Sequence, residues 1–152
     1  MRVMILVKAN KESEAGVMPG KELLAAMGNF NEELLRAGVL LAADGLQRSA
    51  KGARVRFSGS KRTVVDGPFT EARELVAGFW IWEVKTMEEA IEWVKRCPNP
   101  HEGDSEIEIR QVFDASDFDP EYMAELIERR ERLAAELVAA GRPVPEHLQK
   151  KS

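Results

Sequence analysis

The sequence predicts an α+β fold: a ferredoxin-like sandwich with an inserted β-hairpin and a C-terminal helical extension. Three observations carry this. The major elements run strand–helix–strand, hairpin, strand–helix–strand, the order of two βαβ-like units. Three strands, Val3–Val7, Val39–Ala43 and Phe79–Trp82, read as apolar on both faces, which requires cover on both sides. The chain is 44% hydrophobic and 32% charged over 152 residues, enough apolar material for one core. Residues 1–115 are expected to form the domain. Residues 116–152 are expected to extend it without forming a domain of their own.

Charge and composition narrow the function classes. A formal net charge of −4 argues against direct nucleic-acid binding. A single cysteine, Cys97, leaves no internal disulfide framework and suits a reducing compartment. The longest apolar runs fall far below the roughly 20 residues that span a bilayer, so no membrane partner is expected. No basic-then-apolar leader opens the chain, and a cytoplasmic protein is the expectation. Phosphate loops, dinucleotide glycine patterns, Ser-His-Asp ordering and CxxC pairs are not found, and no cofactor is implied.

Val3–Val7 opens the chain as a strand, and Lys11–Gly20 reads as a polar loop. From about Lys21 to Ala37 a helix is expected. Leu23, Met27, Phe30 and Leu34 make its core stripe, and Gly38 sits where a helix-terminating glycine belongs. Val39–Ala43 follows as a strand ending at Asp44-Gly45. Ala53–Phe57 and Lys61–Val65 flank Ser58-Gly59-Ser60, a hairpin signal. That hairpin is basic (Lys51, Arg54, Arg56, Lys61, Arg62) and is read as a solvated edge that resists aggregation.

The corner Asp66-Gly67-Pro68-Phe69 turns the chain from the hairpin into the aromatic strand. Asp66 is expected to accept hydrogen bonds from backbone N–H groups two residues on. Gly67 is expected to supply positive φ, and Pro68 a fixed one. Thr70–Glu74 reads as loop and Val76–Lys85 as a strand. A helix opens at Thr86, with Thr86 and Glu89 spaced as a capping box, and stops near Cys97 because Pro98 and Pro100 cannot continue it. Glu106–Phe113 is the last strand, with Ile107 and Ile109 on one face and Glu106, Glu108 and Arg110 on the other. Glu121–Ala140 reads as a helix ended by Gly141, with Glu125/Arg129 and Glu128/Arg132 as i, i+4 pairs.

Two helices cover one sheet face. The simplest cover for the other is the same face of a second copy, giving a two-fold homodimer with a shared cleft. Asp44 ends an apolar strand at the mouth of that cleft, either as a turn residue or as a carboxylate able to act as a base. Arg110, with Glu108, either forms a structural ion pair or makes a fork for a carboxylate or phosphate ligand. Asp66 carries the same ambiguity with more work inside its own turn. Trp80 and Trp82 share one face; packing is the ordinary role, a stacking wall for a planar ligand the other. His101 lies in a loop beside Glu102 and Asp104, too sparse a set for a metal site. Cys97 is expected to be packed rather than reactive, and His147 has no assigned role.

The chain resembles the YCII-related superfamily, in its DGPF branch. The matching stretches are Ala37-Gly38-Val39-Leu40-Leu41-Ala42, Asp44-Gly45-Leu46, Val65-Asp66-Gly67-Pro68-Phe69, Gly78-Phe79-Trp80, Glu89-Ala90-Ile91-Glu92-Trp93 and Ile107-Glu108-Ile109-Arg110. The resemblance implies a dimeric α/β barrel of ferredoxin-like halves with a cleft as its site. It also implies a histidine on the first helix paired with an aspartate at the end of the second strand. Asp44 matches the aspartate. The histidine's place falls near Met27 or Gly28, so the general base of that pair is missing and no enzymatic mechanism carries over. Some DGPF proteins are linked to extracytoplasmic-function sigma factors. This leaves two expectations: a homodimer cleft binding a small anionic or aromatic molecule, or a non-enzymatic interaction module linked to a sigma factor.

Overall fold

β1 (Arg2–Lys8) lies at the centre of a four-stranded antiparallel sheet in the computed structural model, which describes residues 1–70, 74–145 and 148. After β1 come α1 (Lys11–Ala15), α2 (Lys21–Arg36) and β2 (Leu40–Gly45). A 3-10 turn over Ser49–Lys51 leads to the hairpin β3 (Ala53–Ser58) and β4 (Lys61–Asp66). β5 (Val76–Glu83), α3 (Met87–Arg96) and β6 (Ile107–Gln111) complete the first compact unit, Met1–Val112. The second, Phe113–Ser152, contains a 3-10 turn over Ala115–Asp117 and α4 (Pro120–Ala139). Among the described residues no helix is long and apolar enough to cross a membrane.

Strand order in the main sheet is β2-β5-β1-β6, and the hairpin β3-β4 is a separate two-stranded sheet. Pairing fixes which residues share a face. Val3 stands opposite Trp82, and Ile5 opposite Trp80 and Ile109. These point into a core that α2 closes with Phe30 and Leu34 and α3 with Ala90. Trp80 and Trp82 are 7% and 0% exposed, and the Phe30 ring meets both edge-on, with centroids 6.4 and 6.3 Å away. Such edge contacts suit the quadrupole of aromatic rings. Trp80 Nε1 donates to Asn31 Oδ1 at 2.8 Å, so this indole satisfies its N–H inside the core.

Several local expectations are met by specific bonds. At Gly38, φ is +70°, Gly38 N donates to Leu35 O, and Val39 N donates to Leu34 O. That is the pair of bonds that closes a helix through a left-handed glycine. At α3, Thr86 Oγ1 accepts from Glu89 N at 3.2 Å. The Glu89 carboxylate, however, reaches past the cap to Lys85 N at 2.7 Å, so the reciprocal half of the box is displaced by one residue.

Other expectations are corrected. Lys11–Gly20 is not all loop: Asn10 and Ser13 form a reciprocal capping box that starts α1. In α4 the pairs Glu125/Arg129 and Glu128/Arg132 are not among the ion pairs formed by the described residues. β2 was expected to be buried on both faces, yet Leu41, Ala42 and Ala43 are exposed. Pairing with β5 slips between Leu40 and Ala42, a bulge that leaves Leu41 outside the ladder. The loop expected at Thr70–Glu74 lies partly outside the described residues, and His147 lies outside them altogether.

Candidate functional site

The sheet face turned away from α2 and α3 carries three of the expected site residues, Asp44, Glu108 and Arg110. Register places Met4, Leu6, Phe79 and Ile81 on this face, all half-buried. They form an apolar floor. One cross-strand row runs Asp44, Phe79, Leu6, Glu108, and the next runs Ala42, Ile81, Met4, Arg110. Asp44 and Glu108 therefore stand at opposite edges of one row, three interstrand steps or about 14 Å apart. Asp44 and Arg110 share the face without touching, and both are exposed, Arg110 with 71% of its side chain in solvent.

At the β6 edge the charges are organised around Glu108. Lys8 Nζ lies 2.7 Å from Glu108 Oε2, and Arg110 Nη1 lies 3.4 Å from Oε1. The hydrogen bond from Lys8 holds the Glu108 carboxyl below the usual range, and the same bond raises the Lys8 ammonium above its own. Glu74 and Glu106 also act on the Lys8 ammonium, so the cations Lys8 and Arg110 are balanced by carboxylates at this edge. Lys8 was not foreseen in the sequence. It continues the alternation Met4, Leu6, Lys8 on the open face, but only the strand register brings it to Glu108. His101 is less solvated than a loop position suggests: its Nε2 lies 2.6 Å from Lys8 O, which ties the 98–105 loop to the end of β1.

Trp80 and Trp82 do not join this face. They lie on the helix side of the sheet, and neither ring offers a wall to a ligand there. Asp66 ends β4 opposite Ala53 and is exposed. Its expected turn bond is corrected: the residue two positions on is Pro68, which has no N–H to give.

The corner itself is held from outside. Phe69 N donates to Ser49 Oγ at 3.0 Å, and Gly67 N donates to Gly52 O at 3.0 Å. Ser49 in turn gives its N–H to the Glu14 carboxylate, at 3.1 and 3.2 Å, and its hydroxyl to the same group. Arg54 stacks over the Phe69 ring, 3.8 Å from its centroid. Gly67 is required by proximity rather than by φ, since a Cβ there would sit 1.8 Å from Ser49 O. Gly67 is also not among the positive-φ glycines.

A separate hollow of about 500 Å³ opens between the end of α3 and the following loop, lined by Val94, Cys97, Pro98, Asp104 and Ile107 among others. Burial pushes the Cys97 thiol up to about 11. A raised value keeps the thiol protonated, so it is a poor nucleophile at neutral pH. Iodoacetamide at pH 8 is expected to label Cys97 roughly 100-fold more slowly in the folded protein than in denatured chain, from the thiolate fractions alone. Equal rates would mean the thiol is neither packed nor shifted.

An antiparallel sheet with α2 and α3 packed on one side, and with charged groups at the edges of a half-buried apolar face on the other, makes the first unit an α+β protein. Comparison with known proteins gives the class its name. The model of the YCII-related domain matches residues 1–116, and the chain belongs to that family. It is also similar to an uncharacterized protein of Rhizobium meliloti (strain 1021), with 28% identity over 103 residues, covering 68% of this chain and 78% of the relative.

Proposed function

We propose that this chain works as a cytoplasmic homodimer, a dimeric α/β barrel of two ferredoxin-like halves of the DGPF type. The open sheet faces meet and enclose a cleft for a small anionic molecule. In this reading residues 116–152 extend the domain. The carrying observation is the apolar floor Met4, Leu6, Phe79 and Ile81, flanked at one edge by Asp44 and at the other by Lys8, Glu108 and Arg110. The part of this half-buried floor that meets solvent costs free energy, and a second copy removes that cost. Inside the closed cleft Arg110 offers a fork for a carboxylate, Glu108 orients it, and Asp44 stands ready to accept a proton. Asp66, at the end of the hairpin, is placed at the rim. The reading leaves catalysis unassigned, because Met27 and Gly28 stand where the family's histidine would act.

The probe is benzoate, an aromatic carboxylate. Saturable binding by calorimetry is expected, weakened about 10- to 100-fold in Arg110→Ala, from the loss of one charged hydrogen-bonding partner. Binding that Arg110→Ala leaves unchanged would remove Arg110 from the site, and no saturable binding at millimolar benzoate would remove the aromatic-carboxylate reading.

A second reading has its own observation. α4 has no buried residue, and Tyr122, Ile127, Leu133 and Val138 are exposed along it. These exposed groups lie on the two flanks of the half-buried row Met123, Leu126 and Leu137, and this apolar surface fits an interaction module, in this reading one linked to an extracytoplasmic-function sigma factor. Coexpression with such a factor should then yield a complex that Ile127→Glu abolishes.

A further inference from the structure

The hairpin β3-β4 carries a charge that the chain as a whole conceals. Residues 45–65 hold six cations, Arg48, Lys51, Arg54, Arg56, Lys61 and Arg62, and no carboxylate, within a chain of net charge −4. None of the six is among the ion pairs formed by the described residues. Every residue of β3 is exposed, and among the described residues β3 pairs only with β4. A two-stranded ribbon is marginal in water, and a third strand stabilises it.

Register sorts the side chains of the ribbon onto two faces. Ala53, Val55 and Phe57 share one face with Arg62, Val64 and Asp66, while Arg54, Arg56 and Ser58 share the other with Lys61, Thr63 and Val65. Arg54 lies over the Phe69 ring and Arg62 over the Phe57 ring, contacts that leave the charge of both without an anion. The backbone is sorted too. The two-residue loop Gly59-Ser60 and the bond from Gly67 N to Gly52 O fix which residues of β3 exchange hydrogen bonds with β4: Arg54, Arg56 and Ser58. The N–H and C=O groups of Ala53, Val55 and Phe57 therefore point to the outer edge, where no described strand meets them.

Such an edge takes an added strand through its main chain, and alternate side chains select which one. The basic and the apolar side chains of β3 stand on opposite faces. A nucleic-acid strand or a lipid surface lies against one face and leaves the other unused. A β-strand beside β3 meets both. One register then serves both faces, because acidic and apolar residues alternating in the added strand match the alternation Arg54-Val55-Arg56-Phe57. A second β3 is selected against: outward-bonding residues pair with outward-bonding residues, which sets arginine against arginine.

We propose that the outer edge of β3 is a docking site for an extended segment of a partner protein in which acidic and apolar residues alternate. The segment adds a third strand to the ribbon, with its acidic residues opposite Arg54 and Arg56 and its apolar residues opposite Val55 and Phe57. This goes beyond the cleft reading and gives the hairpin a partner of its own.

The probe is a fluorescent synthetic peptide of alternating glutamate and valine, about eight residues long, the span of a typical strand. Its anisotropy is expected to saturate on titration with the full chain. A peptide of the same composition, with its glutamates in one block and its valines in another, is expected to bind at least tenfold more weakly. Two variants with parent-like melting temperatures complete the test. Arg56→Glu is expected to weaken the alternating peptide about tenfold, because it sets like charges opposite. Val55→Pro removes an outward N–H and no bond to β4, and is expected to weaken it by a similar factor. Hydrogen exchange at Val55 and Phe57 should be fast in the free chain and slowed by the alternating peptide. Equal binding of the two peptides, no saturation at millimolar peptide, or affinity unchanged in both variants would overturn the proposal. Val55 and Phe57 amides slowed by a single-stranded oligonucleotide or phosphatidylserine vesicles, and not by the peptide, would give the ribbon to a different occupant and overturn it as well.

Discussion

Phe30→Ala is expected to destabilise the protein by about 3–5 kcal/mol, the usual range for removing a buried phenylalanine. Phe30 is the one residue of α2 whose ring meets three indoles: Trp80, Trp82 and Trp93, each with centroids 6.3–6.4 Å away. Truncation removes the apolar burial and also the edge contacts, and three rigid rings cannot easily collapse into the space left. For a chain of this size the melting temperature should fall by roughly 10–15 °C. Leu35→Ala, at an exposed position on the same helix, should change stability by no more than about 0.5 kcal/mol. Thermal melts of the two variants check this. A loss under about 1 kcal/mol for Phe30→Ala would mean that the aromatic cluster is not the centre of the core.

Gly67→Ala is expected to cost about 2–4 kcal/mol, although it adds a single methyl group at a surface corner. The new Cβ would lie 1.8 Å from Ser49 O and 2.6 Å from Ser49 C, and both are backbone atoms. No rotamer relieves that contact, so the Ser49 turn has to move. Moving it stretches the bonds from Phe69 N to Ser49 Oγ and from Ser49 to the Glu14 carboxylate. Bonds to a charged acceptor are the stronger of these. The damage should be local, seen as shifted amide resonances of Ser49 and Phe69 together with a lowered melting temperature. Parent-like stability and unchanged Ser49 resonances would show that the corner does not depend on this approach.

The two substitutions mark what the sequence carries and what it leaves out. Phe30 was legible because Leu23, Met27, Phe30 and Leu34 recur at helical spacing, and a period of 3.6 survives in one dimension. The ends of α2 and α3 were legible for the same reason, through Gly38 and Thr86. Gly67 was placed at a turn correctly but for the wrong cause. Its constraint comes from Ser49, 18 positions earlier, and no local signal announces a close approach between distant segments. α1 was missed because five residues are too few for periodicity, although Asn10 and Ser13 carried its capping box.

The shared face of Glu108 and Arg110 was legible in the sequence, and the distance from it to Asp44 was not. Asp44, Glu108 and Arg110 do fall on one sheet face, as alternation along β6 suggested. Strand order then puts β2 and β6 at opposite edges, and strand order is a property of pairing that no single strand encodes. The sequence showed that Trp80 and Trp82 share a face but not which one. Only their pairing with Ile5 and Val3 assigns it to the core. β2 looked buried on both sides because a short apolar run has no period to read, and its place as a terminal strand, which only pairing reveals, goes with its exposure.

The claim on which the rest depends is that a second copy covers the open face of the main sheet. Light scattering coupled to size exclusion, on the parent chain at micromolar concentration, measures this directly. The account predicts a mass of twice the 17.0 kDa chain. A mass of one chain across that range would contradict it.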